Sequence, residues 1–209
     1  MIITVTGGAR SGKSAFAEKW CMKHARQGLY IATAQAFDAE MRERIKLHQQ
    51  MREDSGFAWE TREESVQLAA VLSDIGQIWR WPSQRFSPAS AQALESSAEQ
   101  VEQAEQVVLV DCLTLWLSNV LLTAGDGSEA EELVRKEIDR LAAVISAYSG
   151  NLVLVTNEVG DGIVPEYRLG RIYRDLSGIM NRRIAEISDQ VFLVTAGIPI
   201  ELKSREYRL

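Results

Sequence analysis

Ile2-Ile3-Thr4-Val5-Thr6-Gly7-Gly8-Ala9-Arg10-Ser11-Gly12-Lys13-Ser14 passes from a β-branched apolar run, through three glycines, into the start of a helical pattern. The glycine-bearing part fits G-x-x-x-x-G-K-[ST], and its position between a strand and a helix is the context that gives that pattern its meaning. Glycines let the backbone curl so that successive N–H groups face inward toward phosphate oxygens. The helix that follows adds its positive N-terminal end. Lys13 reaches the β- and γ-phosphates as a point charge, and the Ser14 hydroxyl is a ligand for Mg²⁺. Gly7, Gly8, Ala9, Arg10, Ser11, Gly12, Lys13 and Ser14 are therefore candidate nucleotide-binding residues.

Downstream of this loop, short β-rich runs recur at residues 29–33, 107–110, 152–156 and 191–195. Like residues 2–6 they are nearly continuous in hydrophobicity, which is how strands covered on both faces of a parallel sheet read. Helical patterns at 14–26, 38–53, 129–147 and 176–187 separate them. Strand and helix in alternation predict an α/β fold with right-handed crossovers. With the loop, this is a P-loop NTPase (RecA-like) architecture: a mostly parallel sheet flanked by helices. The turn Ala196-Gly197-Ile198-Pro199 followed by residues 200–203 predicts an antiparallel C-terminal edge strand. Residues 57–61 read as a further short strand. Residues 73–106 hold Trp79, Trp81, Pro82 and Pro88 and then a polar Ala/Glu/Gln/Ser stretch, read as a loop and a solvent-facing helix over 89–105. Nothing suggests a repeat or a second domain, so residues 1–209 are taken as one domain.

Composition excludes several classes. A net charge of −6 gives no electrostatic footprint for nucleic acid. Cys21 and Cys112 have neither metal-binding nor disulfide-framework spacing, and both sit among apolar residues where a buried small side chain fits. No apolar run reaches membrane-spanning length, so stable membrane insertion is not expected. The first residues lack the layout of a signal peptide. A cytoplasmic location is the expectation.

Two further places carry chemistry. Val107-Val108-Leu109-Val110-Asp111 is an apolar strand ending in an acid, which suits a carboxylate partner for the metal. A strand-end cap is the alternative reading. In the second helical pattern Arg44, His48 and Arg52 recur every four residues and share a face. Flanking guanidiniums disfavour a further positive charge on His48, and neutral imidazole is a nucleophile. The arginines are bidentate donors for phosphate oxygens. By pattern alone the same stripe also reads as a solvated basic face. His24, near the end of the first helix, reads as a contact with that helix end.

Longer blocks carry a resemblance. Thr6 to Ser14 (TGGARSGKS), Tyr30 to Thr33 (YIAT), the segment from Glu40 to His48, Trp59-Glu60-Thr61, Asp111-Cys112-Leu113-Thr114-Leu115-Trp116-Leu117-Ser118-Asn119, Val155 to Gly160, Gly162 to Pro165 and Arg171 to Asp175 resemble the bifunctional adenosylcobinamide kinase / adenosylcobinamide-phosphate guanylyltransferase family. The resemblance spans nearly the whole chain. It implies an enzyme of cobalamin nucleotide-loop assembly with ATP or GTP and Mg²⁺. Such an enzyme phosphorylates the aminopropanol hydroxyl of adenosylcobinamide. It then moves GMP from GTP onto that phosphate through a guanylylated histidine, leaving adenosylcobinamide-GDP and pyrophosphate. Carried over by position, His48 matches the histidine that takes GMP. Ala32, Thr33, Ala34, Gln49, Gln50, Met51, Arg52, Glu60 and Asp111 match nucleotide contacts, and Ser14 with Asp111 would hold the metal. The family also implies a homo-oligomer, a trimer with sites near subunit contacts. Residues 73–106 depart from the family pattern as an insertion. Asn157, Glu158 and the loop 160–171 follow a strand end, where ligands bind in parallel sheets; they read equally as a structural turn.

Overall fold

The computed structural model describes residues 1–36, 39–78, 104–125, 127 and 129–207. Seven strands form one sheet: β1 (Ile2–Thr6), β2 (Ala25–Ala32), β3 (Ala58–Glu63), β4 (Ala104–Asp111), β5 (Leu152–Val155), β6 (Gln190–Thr195) and β7 (Ile198–Glu201). Helices α1 (Lys13–His24), α2 (Ala39–Glu53), α3 (Leu68–Ile78), α4 (Leu113–Ala124), α5 (Ala130–Ala147) and α6 (Arg168–Ile187) connect them. The strand order is β3-β2-β4-β5-β1-β6-β7, with only β7 antiparallel. The sheet is therefore of the expected kind. The chain leaves β1 through α1 and returns three places away, and the gap is filled later by β5 and β4.

Parallel pairing brings the carboxyl ends of β1, β2, β4 and β5 to one edge. The register Val5↔Val155, Asp111↔Val155 and Ala32↔Asp111 sets the phosphate loop, the strand-end acid and the end of β2 level with one another. Alternation along β4 then sorts the faces. Val108 and Val110 pack with Leu72, Leu113, Trp116, Leu141 and Leu176 from α3 to α6. Val107 and Leu109 pack with Ala17 and Cys21 of α1 and with Tyr30 and Val153. Both layers are closed to solvent, and each fully buried aliphatic side chain contributes about 1.5–3 kcal/mol. That double coverage is why the strands carry no polar alternation.

Several boundaries differ from expectation. Residues 73–78 are helical rather than loop, because Leu68, Leu72 and Ile75 put an apolar stripe at helical spacing against the core. Ala104 and Glu105 begin β4 instead of ending a helix, and most of the polar helix expected over 89–105 lies outside the described residues. α6 starts at Arg168, two turns earlier than its apolar pattern suggests. The C-terminal hairpin turns on Ala196 and Gly197, both at positive φ, so Ile198 and Pro199 already belong to β7. A two-residue turn of that hand matches the twist of the paired strands. Proline is tolerated because β7 is an edge.

Candidate nucleotide site and histidine helix

The loop between β1 and α1 is held by backbone. Gly12 sits at φ 96° as the residue before α1, and the Phe16 amide donates to its carbonyl at 2.9 Å. Arg10 is also at positive φ. A Cβ at Gly7 would lie 2.4 Å from the Val194 carbonyl oxygen of β6, so this position admits no side chain. Two neighbours clamp the loop: the Glu158 amide donates to the Gly7 carbonyl at 3.1 Å, and the Gly197 amide donates to the Ser11 carbonyl at 2.9 Å. Lys13 is buried and its ammonium donates to the Gly8 carbonyl at 3.2 Å. The Ser11 hydroxyl is enclosed without a protein partner. Ser14 is half-buried one residue on.

Asp111 ends β4 half-buried on the α1 face, and its Oδ2 accepts from the Tyr30 hydroxyl at 3.1 Å. The peptide that follows it is cis. Thr33 is tied to the next residue twice. Its hydroxyl donates to the Cys112 carbonyl at 2.7 Å, and the Cys112 amide lies 2.8 Å from the same oxygen. Asn119 donates to the carbonyls of Thr33 and Ser65, and Asn157 donates to the Thr114 hydroxyl at 2.6 Å. The block from Asp111 to Asn119 thus laces three strand ends together. Burial pushes the Cys112 thiol up to about 11, with the Asp111 charge adding to it and Lys13 opposing it. Cys21 and Cys112 are both buried and unbridged.

The histidine helix is built differently. Among the described side chains of α2 only Arg52 is buried; His48 and Gln49 are half-buried, and Leu47, Gln50 and Met51 are exposed. The Arg44 side chain lies outside the described residues. Arg52 is not part of a solvated face: its guanidinium carbon sits 3.7 Å from the centre of the Tyr30 ring. Its Nη1 is 4.0 Å from Glu18 Oε1 of α1. Burial raises the Glu18 carboxyl to about 7, with Arg52 pulling down and Asp111 pushing up. Sequence reasoning missed both Glu18 and Tyr30. Tyr30 lay in a quoted block, but Glu18 had no signal beyond falling one turn after Ser14.

Turned about 100° from His48 around α2, Gln49 lines a cleft of about 640 Å³ with Ala32, Ala34, Arg42, Lys46 and Glu64. Glu60 pairs with Leu29 and shares its side of the sheet, opposite to Tyr30, and is exposed. This chain does not bring it to Arg52 and Asp111. Asn157 is engaged structurally, while Ile163 and Tyr167 of the following loop are exposed. His24 contacts its own helix end as expected, its Nδ1 lying 2.7 Å from the Trp20 carbonyl oxygen, and burial lowers its pKa.

A glycine loop clamped between β1 and α1, with a buried lysine and a strand-end acid at the same sheet edge, defines a P-loop nucleotide-binding phosphotransferase fold. The family described as cobinamide kinase / cobinamide phosphate guanyltransferase matches residues 3–80 and 77–202. The chain is 36% identical over 211 residues to the bifunctional adenosylcobalamin biosynthesis protein CobU of Escherichia coli (strain K12), covering 97% of this chain and 100% of that one. The namesake from Salmonella typhimurium gives the same identity and coverage. CobP of Pseudomonas aeruginosa, which carries the same descriptive name, is 37% identical over 199 residues, 95% of each chain. The chain belongs to the cobinamide kinase / cobinamide phosphate guanyltransferase family and is a bifunctional kinase and guanylyltransferase of cobalamin biosynthesis. No helix among the described residues is long and apolar enough to cross a membrane.

Proposed function

We propose that the two activities divide between the two structures just described. In the kinase step the aminopropanol hydroxyl of adenosylcobinamide attacks the γ-phosphorus of ATP or GTP, and the nucleoside diphosphate leaves. Gly7 to Ser14 cradle the phosphates, and Lys13 neutralises the charge that develops on them. Ser14 and Asp111 supply hard oxygen donors of the kind Mg²⁺ takes when phosphates and water complete its shell. Bound there, Mg²⁺ would neutralise phosphate charge.

In the second step an imidazole nitrogen of His48 attacks the α-phosphorus of GTP and pyrophosphate leaves. The phosphate of adenosylcobinamide phosphate then attacks the same phosphorus, the P–N bond breaks, and adenosylcobinamide-GDP forms. Arg52 carries this reading. It lies one turn from His48 on the same face of α2, is buried, and has Nε and Nη1 enclosed without acceptors. Buried unfilled guanidinium donors are costly, and an incoming phosphate supplies their acceptors. Ala32, Thr33, Ala34, Gln49, Gln50 and Met51 would complete the nucleotide contacts. Glu60 would serve from the other face. The active form is proposed as a homo-oligomer, a trimer, acting in the cytoplasm without nucleic acid, and residues 1–209 as one domain with an insertion near 73–106.

Incubation with GTP labelled at the α-phosphate tests the nucleophile. The label is expected to stay on the denatured protein, to be lost in acid and retained in alkali, and to be absent from His48→Ala. An equally labelled His48→Ala protein would overturn the assignment.

A further inference from the structure

α2 has no buried apolar side chain among those described; its one buried group is a cation. Helices ordinarily dock through an apolar stripe; here Met41 and Ile45 are only half-buried, and Arg52 is the deepest anchor among the described side chains. The Arg52 side chain is only 5% exposed and that of Glu18 only 16%. Two elements reach the guanidinium, and a third, β4, reaches the ring it packs on. β2 offers the Tyr30 ring at 3.7 Å, an attractive cation–π arrangement. β4 offers Asp111, bonded to the same tyrosine through its hydroxyl. α1 offers Glu18, whose Oε1 is enclosed with no hydrogen-bond donor, 4.0 Å from Nη1.

We infer that Glu18 is a positioning residue for guanylyl transfer: its carboxylate seats Arg52 against Tyr30 and so fixes α2, with His48 one turn away, beside the helix of the phosphate loop. Glu18 Oε1 stands 4.0 Å from Nη1, on an edge of the guanidinium that makes no hydrogen bond, and the ring holds only its face. Glu18 stands on α1 one turn beyond Ser14, so the seat is built on the same rigid element that begins at the phosphate loop. The inference rests on His48 as the nucleophile, and it separates the two activities. Loss of Glu18 loosens the histidine helix while leaving the glycine loop's backbone clamps in place.

The test is a double-mutant cycle on the full chain with two readouts. Glu18→Gln and Arg52→Met are made singly and together, the methionine filling the arginine's space without its charge. Single-turnover retention of α-labelled GMP is measured beside phosphorylation of adenosylcobinamide. Hydrogen exchange of the α2 amides is followed without nucleotide. Glu18→Gln is expected to slow labelling roughly 10- to 100-fold, the size of loss when a reacting group is misplaced by about 1 Å. Phosphorylation should fall far less, and α2 amides should exchange faster while those of α1 do not. In the Arg52→Met background the further change at Glu18 should do nothing. An equal effect of Glu18→Gln in both backgrounds, or a parallel loss of both activities, overturns the inference. The exchange measurement keeps the two readings apart. Unlabelled wild-type protein with an arginine-dependent effect of Glu18 on α2 would sink the histidine assignment alone. Labelled wild-type protein with α2 exchange indifferent to Glu18 would sink the seat alone.

Discussion

The phosphate loop and the histidine helix are held by opposite means. The loop is fixed by its own backbone: positive φ at Gly12, a neighbour that excludes any Cβ at Gly7, and amides from Glu158 and Gly197 that anchor its carbonyls. Among its described side chains the helix buries one, an arginine set between a tyrosine ring and a carboxylate. Backbone restraint tolerates almost no substitution and leaves a consensus readable in sequence. Side-chain restraint leaves a helix rich in charge, whose buried cation gains its meaning only from what it docks against.

The widest expected contrast is in activity. Lys13→Ala removes the point charge from the phosphates and should lower adenosylcobinamide phosphorylation by about 10²–10³, the size of losing one transition-state donor. Phosphorylation assayed with saturating nucleotide checks it, and a rate within threefold of wild type would place the triphosphate elsewhere. Stability gives the next contrast. Gly7→Ala puts a methyl 2.4 Å from the Val194 carbonyl and 2.7 Å from the Ser11 hydroxyl, and should cost about 1–3 kcal/mol. Leu47→Ala on α2, where the side chain is 60% exposed, should stay within about 0.5 kcal/mol. Denaturant unfolding of both decides it; equal losses would mean that α2 buries more than its own residues indicate.

The same contrast explains what could be read from the chain alone. Strand identity and parallel pairing were legible because Val107–Val110 and Leu152–Val155 are continuous apolar runs. Strand order was not, since β5 and β4, which separate β1 from β2, come some 80 residues or more after β2 begins. α3 was overlooked although Leu68, Leu72 and Ile75 mark its stripe, because the proline- and tryptophan-bearing segment beyond it dominated the reading. The first turns of α6, Arg168 to Asp175, are too polar to announce a helix. Of the proposed site, the loop follows from its motif, Asp111 from its place at a strand end, and His48 from the family resemblance. Burial of Arg52 was not legible, because nothing in a run of charged residues tells which of them faces a tyrosine from another strand. Glu18 was invisible for the same reason.

The smallest effect sharpens the comparison most. The Glu18 carboxyl is raised from 4.5 to about 7, chiefly by burial, with Arg52 partly offsetting it and Asp111 adding to it. The other groups in electrostatic reach, the Tyr30 hydroxyl and the Cys21 thiol, are themselves pushed up by burial and stay protonated through that range. A folded-state value above the unfolded one means that the folded protein holds this proton more tightly. Its contribution to stability is complete below 4.5 and is lost as pH rises through about 7. Glu18→Gln is neutral throughout and should lack that decline. Thermal melts between about pH 5 and about pH 8 should therefore show wild type losing ground to Glu18→Gln as pH rises, and parallel curves would remove Glu18 as the titrating group. Guanylylation should move the other way, because the ionised carboxylate that costs stability is the form that seats Arg52. Buried ion pairs are often less stabilising than neutral replacements. A variant more stable at high pH and slower at guanylyl transfer would show the histidine helix keeping a charge for position, where the phosphate loop keeps glycines for shape.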